Sequence, residues 1–291
     1  MSHFTVMVIG DDVEGQLAPY DENLAVPKYK DGEVSHTDIT RFLEYYKKKE
    51  NFDGTIEEGI TQFGDDWNGD SWEKDENGVL CRYSTYNPKS KWDWYTVGGR
   101  WMGFFKLKDS SCGELGKPGS FDNKPKENTA DILLKKDIDF DSMRDEAAKI
   151  AAVEYDIVFE AIKDTQVNES WEIISERFGR NQIDAAREFY HGQERVKVFN
   201  ELKKSNPKIF SVFDEVEKYT VDREIFIETA RNSAISTYAL VKDGEWYERG
   251  TMGWFGISTN EQDESTWNKF VNKTLDELPD NTRITLVDCH I

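Results

Sequence analysis

The spacing of apolar residues changes twice along the chain, and this constrains the fold more than any single motif does. Between residues 141 and 164, apolar side chains recur at three- and four-residue steps, which is typical of an amphipathic helix. Shorter segments with the same periodicity follow, separated by Gly or Pro: 168–178, 181–190, 194–204, 208–218 and 221–232. We therefore predict a helical region over residues 139–231.

Segments on both sides of this region alternate apolar and polar residues, which predicts β-strands. The predicted strands lie at 3–9, within 79–107, at 238–248, at 252–257 and at 283–287. Asp243-Gly244 separates two alternating runs, a pattern that favours a type I′ hairpin. Helices are predicted among these strands at 38–49 and 264–277.

This order of elements predicts an α+β fold, with strand-rich N- and C-terminal segments around a central helical block. We divide the chain into an N-terminal α+β region (1–138), the helical region (139–231) and a C-terminal α+β region (232–291). The first and last strands can share one sheet if the helical block is an insertion between them.

The charge balance limits the classes of partner. The chain carries 57 acidic and 37 basic residues, a formal net charge of −20. Nucleic acids and anionic membranes attract basic surfaces, so we expect no direct binding to either. The same charge suits solubility, a basic partner or imitation of nucleic acid. Acidic residues are most concentrated in 51–76, predicted to be a loop-rich acidic surface, where Asp65, Asp66 and Asp70 are candidate contacts for a basic partner.

Cysteine usage and hydropathy indicate the compartment. Cys81, Cys112 and Cys289 are widely spaced and odd in number, so they predict neither a disulfide framework nor a zinc site. The apolar start at 3–9 has no basic flank and runs into Asp11-Asp12, which favours a strand over a signal peptide. With no run long enough to span a bilayer, we expect a cytoplasmic protein.

Motifs for metals, cofactors and catalysis are weak or missing in the sequence. Asp66, Asn68 and Asp70 match the first ligand positions of an EF-hand loop, but Ser71 and Asn77 replace the turn glycine and the bidentate glutamate. A looser carboxylate site within 65–76 stays open. No HExxH, GxxxxGK[ST], GxGxxG or GxSxG pattern occurs. We therefore predict no metal, no cofactor and no catalytic residue.

The densest aromatic run begins at Trp92 and supplies further candidate contacts. On one continuous strand, Trp92 and Trp94 share a face, and Asp93 and Tyr95 share the other. We favour core positions for the two tryptophans, which leaves Tyr95 and Arg100 partly available. The alternative is an aromatic platform for sugars, bases or a protein, with Asp93 as a sugar-site acid. Candidate partner-binding residues are therefore Trp92, Trp94, Tyr95 and Arg100.

Two strings in the N-terminal region resemble hallmark strings of a family of phage-encoded proteins. One runs from Ser2 to Tyr20. The other runs from Asn87 to Trp101, with Trp92-Asp93-Trp94-Tyr95 and Gly98-Gly99-Arg100-Trp101. Length, acidity and element order are further similar to those of phage anti-defence proteins that block the bacterial Gabija system.

The resemblance implies a non-enzymatic inhibitor acting in the cytoplasm of an infected cell. Such a protein assembles as a homo-oligomer around the Gabija complex, which combines an ATPase with a nuclease, and stops that complex from binding or cutting DNA. The resemblance transfers no catalytic residue to this chain.

Two other functions stay open from the residues themselves. One is a carbohydrate- or nucleotide-binding module, or a hydrolase, that uses the aromatic segment 92–101. The other is an acidic DNA mimic centred on 51–76. Acidic residues are spread along the whole chain, so wrapping or steric blockade of a basic complex fits better than strict mimicry.

Overall fold

Strands and helices are grouped in blocks along the chain. The computed structural model describes residues 2–63, 70–108, 112–119, 124–253 and 256–291, and of Asp70 only the backbone. The strands in these ranges are β1 (His3–Ile9), β2 (Tyr29–Glu33), β3 (Asp70–Lys74), β4 (Leu80–Ser84), β5 (Trp94–Gly99), β6 (Phe105–Lys106), β7 (Gly113–Glu114), β8 (Lys117–Pro118), β9 (Thr129–Ala130), β10 (Ile132–Leu134), β11 (Ala239–Lys242), β12 (Glu245–Glu248), β13 (Thr251–Met252), β14 (Ser258–Thr259) and β15 (Arg283–His290). The helices are α1 (Val13–Leu17), α2 (His36–Glu50), α3 (Ile56–Phe63), α4 (Phe140–Ile162), α5 (Trp171–Phe178), α6 (Ile183–Gly192), α7 (Glu194–Ser205), α8 (Arg223–Ser233) and α9 (Glu264–Glu277). The predicted α+β class is confirmed.

Strands from both ends of the chain form the main sheet. Its path is β12-β11-β1-β15-β10-β7, and β5, with β8 beside it, pairs with the second half of β15. β1 runs antiparallel to β15, from His3 opposite His290 to Ile9 opposite Ile284. On its other edge β1 runs parallel to β11. The N- and C-terminal regions therefore share one sheet, and the helical block lies between them in sequence.

Side-chain alternation gives this sheet two apolar faces. On β1, Phe4, Val6 and Val8 point to one face, and Met7 and Ile9 point to the other. The first face packs against residues from α1 and the loops: Leu17, Tyr20 and Trp92. The second face packs against α9 through Trp267, Val271 and Leu275. Because both faces are covered, β1 is almost fully buried, as a central strand requires.

The helical block has a core of its own, separate from the sheet. Buried residues of α4, α6, α7 and α8 form it, including Tyr155, Tyr190, Phe199 and Phe226. Asp139 begins α4 as an N-cap, since its Oδ1 accepts a hydrogen bond from Ser142 N at 3.1 Å.

The helix predicted at 208–218 is wrong, because only a short 3-10 turn forms at Val216–Tyr219. Before that turn, Ser211 N donates to Asp214 Oδ2 at 2.7 Å. Val212 and Phe213 point to solvent, so the segment has no continuous apolar stripe.

Residues 29–84 form a smaller unit, in which β2-β4-β3 pack with α2 and α3 around Phe42, Tyr46 and Trp72. The prediction of a loop-rich surface over 51–76 is therefore wrong, since most of its described residues lie in α3 and β3.

The start of α3 is a capping box that sequence reasoning missed. Thr55 N donates to Glu58 Oε2 at 2.8 Å, and Glu58 N donates to Thr55 Oγ1 at 3.3 Å.

Candidate functional site

The structure separates the two tryptophans that were expected to share a core face. Trp92 is 7% exposed, whereas Trp94 is 42% exposed. The strand is not continuous between them, because the backbone bends at Asp93 and β5 begins only at Trp94. Alternation counted across the bend therefore gives the wrong face. The core prediction is correct for Trp92 and wrong for Trp94.

Trp92 is held by the segment after the first strand. Its Nε1 donates to Leu17 O at 3.2 Å, and the Tyr95 ring packs against it edge-on at 5.1 Å between centroids. Burial, and then the Glu14 carboxylate, raise the pKa of the Tyr95 phenol. Trp92 is thus inaccessible to a partner in this conformation, and Tyr95 is half-buried beside it.

Trp94 instead belongs to a cluster of three rings across neighbouring strands. His290 lies opposite both His3 on β1 and Trp94 on β5. The Trp94 and His290 rings are stacked, with centroids 4.9 Å apart and planes 19° apart. The His3 ring meets Trp94 edge-on at 5.2 Å. The exposed indole of Trp94 is therefore held in place by contacts with two imidazole rings.

Each imidazole is oriented by a different carboxylate. His3 Nδ1 lies 2.8 Å from Asp288 Oδ1, and His290 Nδ1 lies 2.6 Å from Asp93 Oδ1. In a neutral imidazole, each of these contacts favours the tautomer that carries its proton on Nδ1. The Nε2 atom is then the hydrogen-bond acceptor of the ring. Within the described ranges, no hydroxyl or thiol forms a hydrogen bond with either Nε2. The cluster therefore offers a flat aromatic surface with oriented imidazoles, rather than an assembled nucleophile and base.

Cys289 does not supply the missing nucleophile. It points to the opposite face of the sheet, where it is fully buried among apolar side chains. Burial, reinforced by the Asp288 and Asp93 charges, raises the pKa of its thiol well above the usual value. A protonated, buried thiol is inert. None of the three cysteines, all within the described ranges, is joined to another by a disulfide bond.

Arg100 lies just after β5, in a loop held by two buried carboxylates. Asp288 is 1% exposed, and its Oδ2 accepts a hydrogen bond from Arg100 N at 2.8 Å. Asp131 is 0% exposed and accepts three backbone N–H groups, from Gly103 at 2.8 Å, Phe104 at 3.1 Å and Gly116 at 2.9 Å. These bonds fix the backbone conformation of residues 100–104.

The glycines before this loop are required by its geometry. Gly98 and Gly99 both have positive φ, at 78° and 56°. A Cβ on Gly99 would lie 2.3 Å from Asp288 Oδ2, so any larger residue would displace the carboxylate that holds the loop. Sequence reasoning noted the glycines but missed both aspartates. The available signal was Asp288, a charged residue within the otherwise apolar run of the last strand.

The acidic candidates of 51–76 are only partly placed. Asp65 and Asp66 lie outside the described residues, and so does most of the Asp66–Asp70 calcium-like pattern. Asp70 begins β3, and its backbone pairs with Ser84. In the described part of the chain, no group of three or more His, Cys, Asp or Glu side chains is arranged to hold a metal ion.

Lysines neutralise several neighbouring acids of this region. Asp75 Oδ2 accepts from Lys30 Nζ at 2.9 Å, Glu57 pairs with Lys74 at 3.3 Å, and Glu73 pairs with Lys28. The Lys30 ammonium is the main cause that lowers the pKa of the Asp75 carboxyl. The described part of this surface is thus a mixture of ion pairs, which differs from the unbroken acidic face that a DNA mimic needs.

A second exposed surface, missed by sequence reasoning, lies in the turn after α7. Phe213 is 89% exposed and Val212 is 81% exposed. The turn that carries them is held from behind, because Lys203 Nζ donates to the carbonyl oxygens of Val212 at 3.2 Å and Asp214 at 2.7 Å. An exposed aromatic side chain on a restrained turn has the character of an interface anchor.

No known family model, curated protein or solved structure matches this chain. No helix among the described residues combines the length and apolar character needed to cross a bilayer. The function must therefore be inferred from the chain's own surface and contacts.

Proposed function

We propose that this protein inhibits a bacterial DNA-targeting immune complex of the Gabija type, by stoichiometric binding that blocks DNA binding or cleavage. The observation that carries the proposal is the apolar surface of the helical block. Among the described residues, 11 of the 19 exposed large apolar side chains fall within 139–231. We propose that a partner covers part of this region, since exposed apolar side chains that adjoin one another mark an interaction site.

The charge of the chain supports a basic partner. A net charge of −20 raises the rate of encounter with a complex that is itself basic because it binds DNA. The same charge opposes direct contact with DNA. We therefore propose that the protein occupies the DNA-binding complex and does not compete for the DNA.

The two strings that carry the resemblance contact each other in the fold. Asn87 Nδ2 donates to Pro19 O at 2.9 Å, and Lys91 N donates to Tyr20 O at 2.8 Å. Trp92 reaches Leu17 in the same region. We further propose that the protein acts without catalysis and as a homo-oligomer.

The first test is size-exclusion chromatography with light scattering, on the protein alone and mixed with a purified Gabija ATPase–nuclease complex. We expect co-elution at a defined mass, and nuclease inhibition that is complete only when the two are near stoichiometric. Separate elution would rule out the Gabija complex as the partner. Full inhibition at trace amounts of the protein would rule out the stoichiometric mechanism.

A pair of variants tests the helical surface. Phe213→Asp places a charge where the proposal expects an anchor, and it should weaken binding by about tenfold or more, equivalent to at least ~1.4 kcal/mol. Leu24→Asp is the matched control, because Leu24 is exposed but lies in the N-terminal region. Equal loss in both variants, or none in Phe213→Asp, would place the interface elsewhere.

A second candidate function is a carbohydrate- or nucleotide-binding module at Trp94. The observation that favours it is the exposed indole stacked on His290, beside the carboxylate of Asp93. Aromatic platforms of this kind bind sugar and base faces. Glycan-array and nucleotide binding should then be lost in a Trp94→Ala, Asp93→Asn double variant that circular dichroism shows to be folded.

A further inference from the structure

A cleft of about 720 Å³ lies between the loop that follows β5 and the first half of α4. Its apolar lining includes Trp101 and Phe104, which are half-buried and pack on the main core, and Met143 and Ile150 from the helix. The volume falls within the range of about 300–1,000 Å³ typical of small-molecule sites. Trp101 and Phe104 can therefore offer partial ring surfaces to a flat ligand.

The polar lining of the cleft is basic, although the chain as a whole is acidic. Four cations line it, Arg100, Lys106, Lys124 and Lys126, against the two acids Glu127 and Glu146. Glu146 lies 3.7 Å from Lys106 Nζ and 3.8 Å from Lys126 Nζ, so one acid is shared between two lysines. The lining thus keeps a positive excess in a chain of net charge −20.

The loop side of the cleft is fixed before any ligand arrives. Asp131 and Asp288 are buried carboxylates whose hydrogen bonds hold the backbone N–H groups of Arg100, Gly103 and Phe104. Burying a carboxylate costs free energy unless hydrogen bonds compensate. Here the compensating hydrogen bonds come from the loop backbone, so the two carboxylates fix the loop. Buried support behind lining residues is the arrangement that makes a binding site rigid.

We infer that this cleft binds a mononucleotide, with the phosphate held by the lysine rim and the base placed against Trp101 and Phe104. Phosphate is the anion that clustered Lys and Arg bind, and aromatic side chains stack on bases of any identity. A polynucleotide fits less well, because its further phosphates would approach the acidic remainder of the protein. This inference does not depend on the inhibitory role.

The test is calorimetric titration of the full chain with AMP, adenosine, inorganic phosphate and a twelve-residue oligothymidylate. We expect AMP to bind one site per chain with a dissociation constant below about 1 mM. Adenosine and phosphate should each bind about tenfold more weakly, since each supplies only one of the two contacts. Lys124→Glu with Lys126→Glu should weaken AMP binding by about tenfold.

The control is Lys197→Glu with Lys208→Glu, which changes the net charge equally on exposed lysines outside the cleft. Its AMP affinity should equal that of the unmodified chain, and circular dichroism should show that both double variants are folded. The inference is overturned if AMP gives no binding, if the two double variants bind it equally, if phosphate binds as tightly as AMP, or if the oligonucleotide binds more tightly.

Discussion

His3 and His290 lie opposite each other on β1 and β15, with ring centroids 4.9 Å apart and each Nδ1 beside a different carboxylate. The pair joins the first and last strands at one end of the main sheet. It also supports the exposed Trp94 ring, so this end of the sheet combines a structural joint with the most accessible aromatic surface of β5.

Replacing His290 by Ala removes the stacking on Trp94 and the hydrogen bond to Asp93 together. We expect a loss of about 2–4.5 kcal/mol in the free energy of unfolding, from one hydrogen bond to a charged group and one ring pair. Urea unfolding measures it. His191→Ala is the control, since His191 is exposed on α6 and its loss should change stability by less than about 0.5 kcal/mol.

Trp92→Ala and Trp94→Ala should differ strongly in stability. Trp92 is buried against α1 and the loops, so its truncation should cost about 3–5 kcal/mol. Trp94 is exposed and contributes mainly ring contacts, so its truncation should cost about 1 kcal/mol. Thermal melts of the two variants compare them. Similar losses would mean that the backbone bend at Asp93 does not separate the two side chains.

Asp131→Asn tests the hydrogen bonds that fix the loop after β5. The carboxylate accepts three backbone N–H groups, and an amide directs its own N–H₂ at one of these donors. We expect a loss of about 3 kcal/mol in the free energy of unfolding. Asp164→Asn, on an exposed residue after α4, should be neutral within about 0.5 kcal/mol in the same denaturation experiment.

Stability should fall at alkaline pH. Burial, followed by hydrogen bonds to Glu217 and Glu154 respectively, raises the pKa of the Tyr190 and Tyr219 phenols, and burial raises that of the Cys289 thiol. A raised folded-state pKa contributes stability that is present below the unfolded pKa and is lost above it. The unfolded values are about 8.5 for Cys and about 10 for Tyr, so the loss should begin near pH 8.5 and steepen through pH 10.

Urea unfolding between pH 7 and pH 11 measures this loss. Tyr190→Phe removes one of the titrating phenols and should flatten the alkaline slope relative to the unmodified chain. A slope unchanged by that substitution would mean that Tyr190 ionises equally in the folded and unfolded states.

Periodicity was sufficient to predict most of the secondary structure. Helix α9 was predicted at 264–277 and observed at Glu264–Glu277, because its apolar stripe faces one sheet and Asp263 caps it. The Asp243-Gly244 hairpin is also confirmed, with φ of 54° and 78° at its two central residues. Such features depend on neighbours in sequence, which a single chain displays directly.

The site depends instead on contacts across the chain, which periodicity does not reveal. Asp288 reaches His3 and Arg100, and Asp131 reaches Gly103 and Gly116. Asp288 stands out only as a charge within the last strand, and nothing near Asp131 in sequence distinguishes it from the other acids of an acidic chain. Trp94 was misplaced for a related reason, since one bend at Asp93 reverses every face assigned after it.

Strand β15 is synthesised after every strand it joins, because β1, β5 and β10 all precede it and all pair with it. During translation, the edges of these strands that later pair with β15 therefore lack that hydrogen-bonding partner until more than a hundred further residues have been synthesised. The helical block needs no such partner for its own core and can condense first. The N-terminal region is thus expected to stay incompletely paired until β15 closes the sheet.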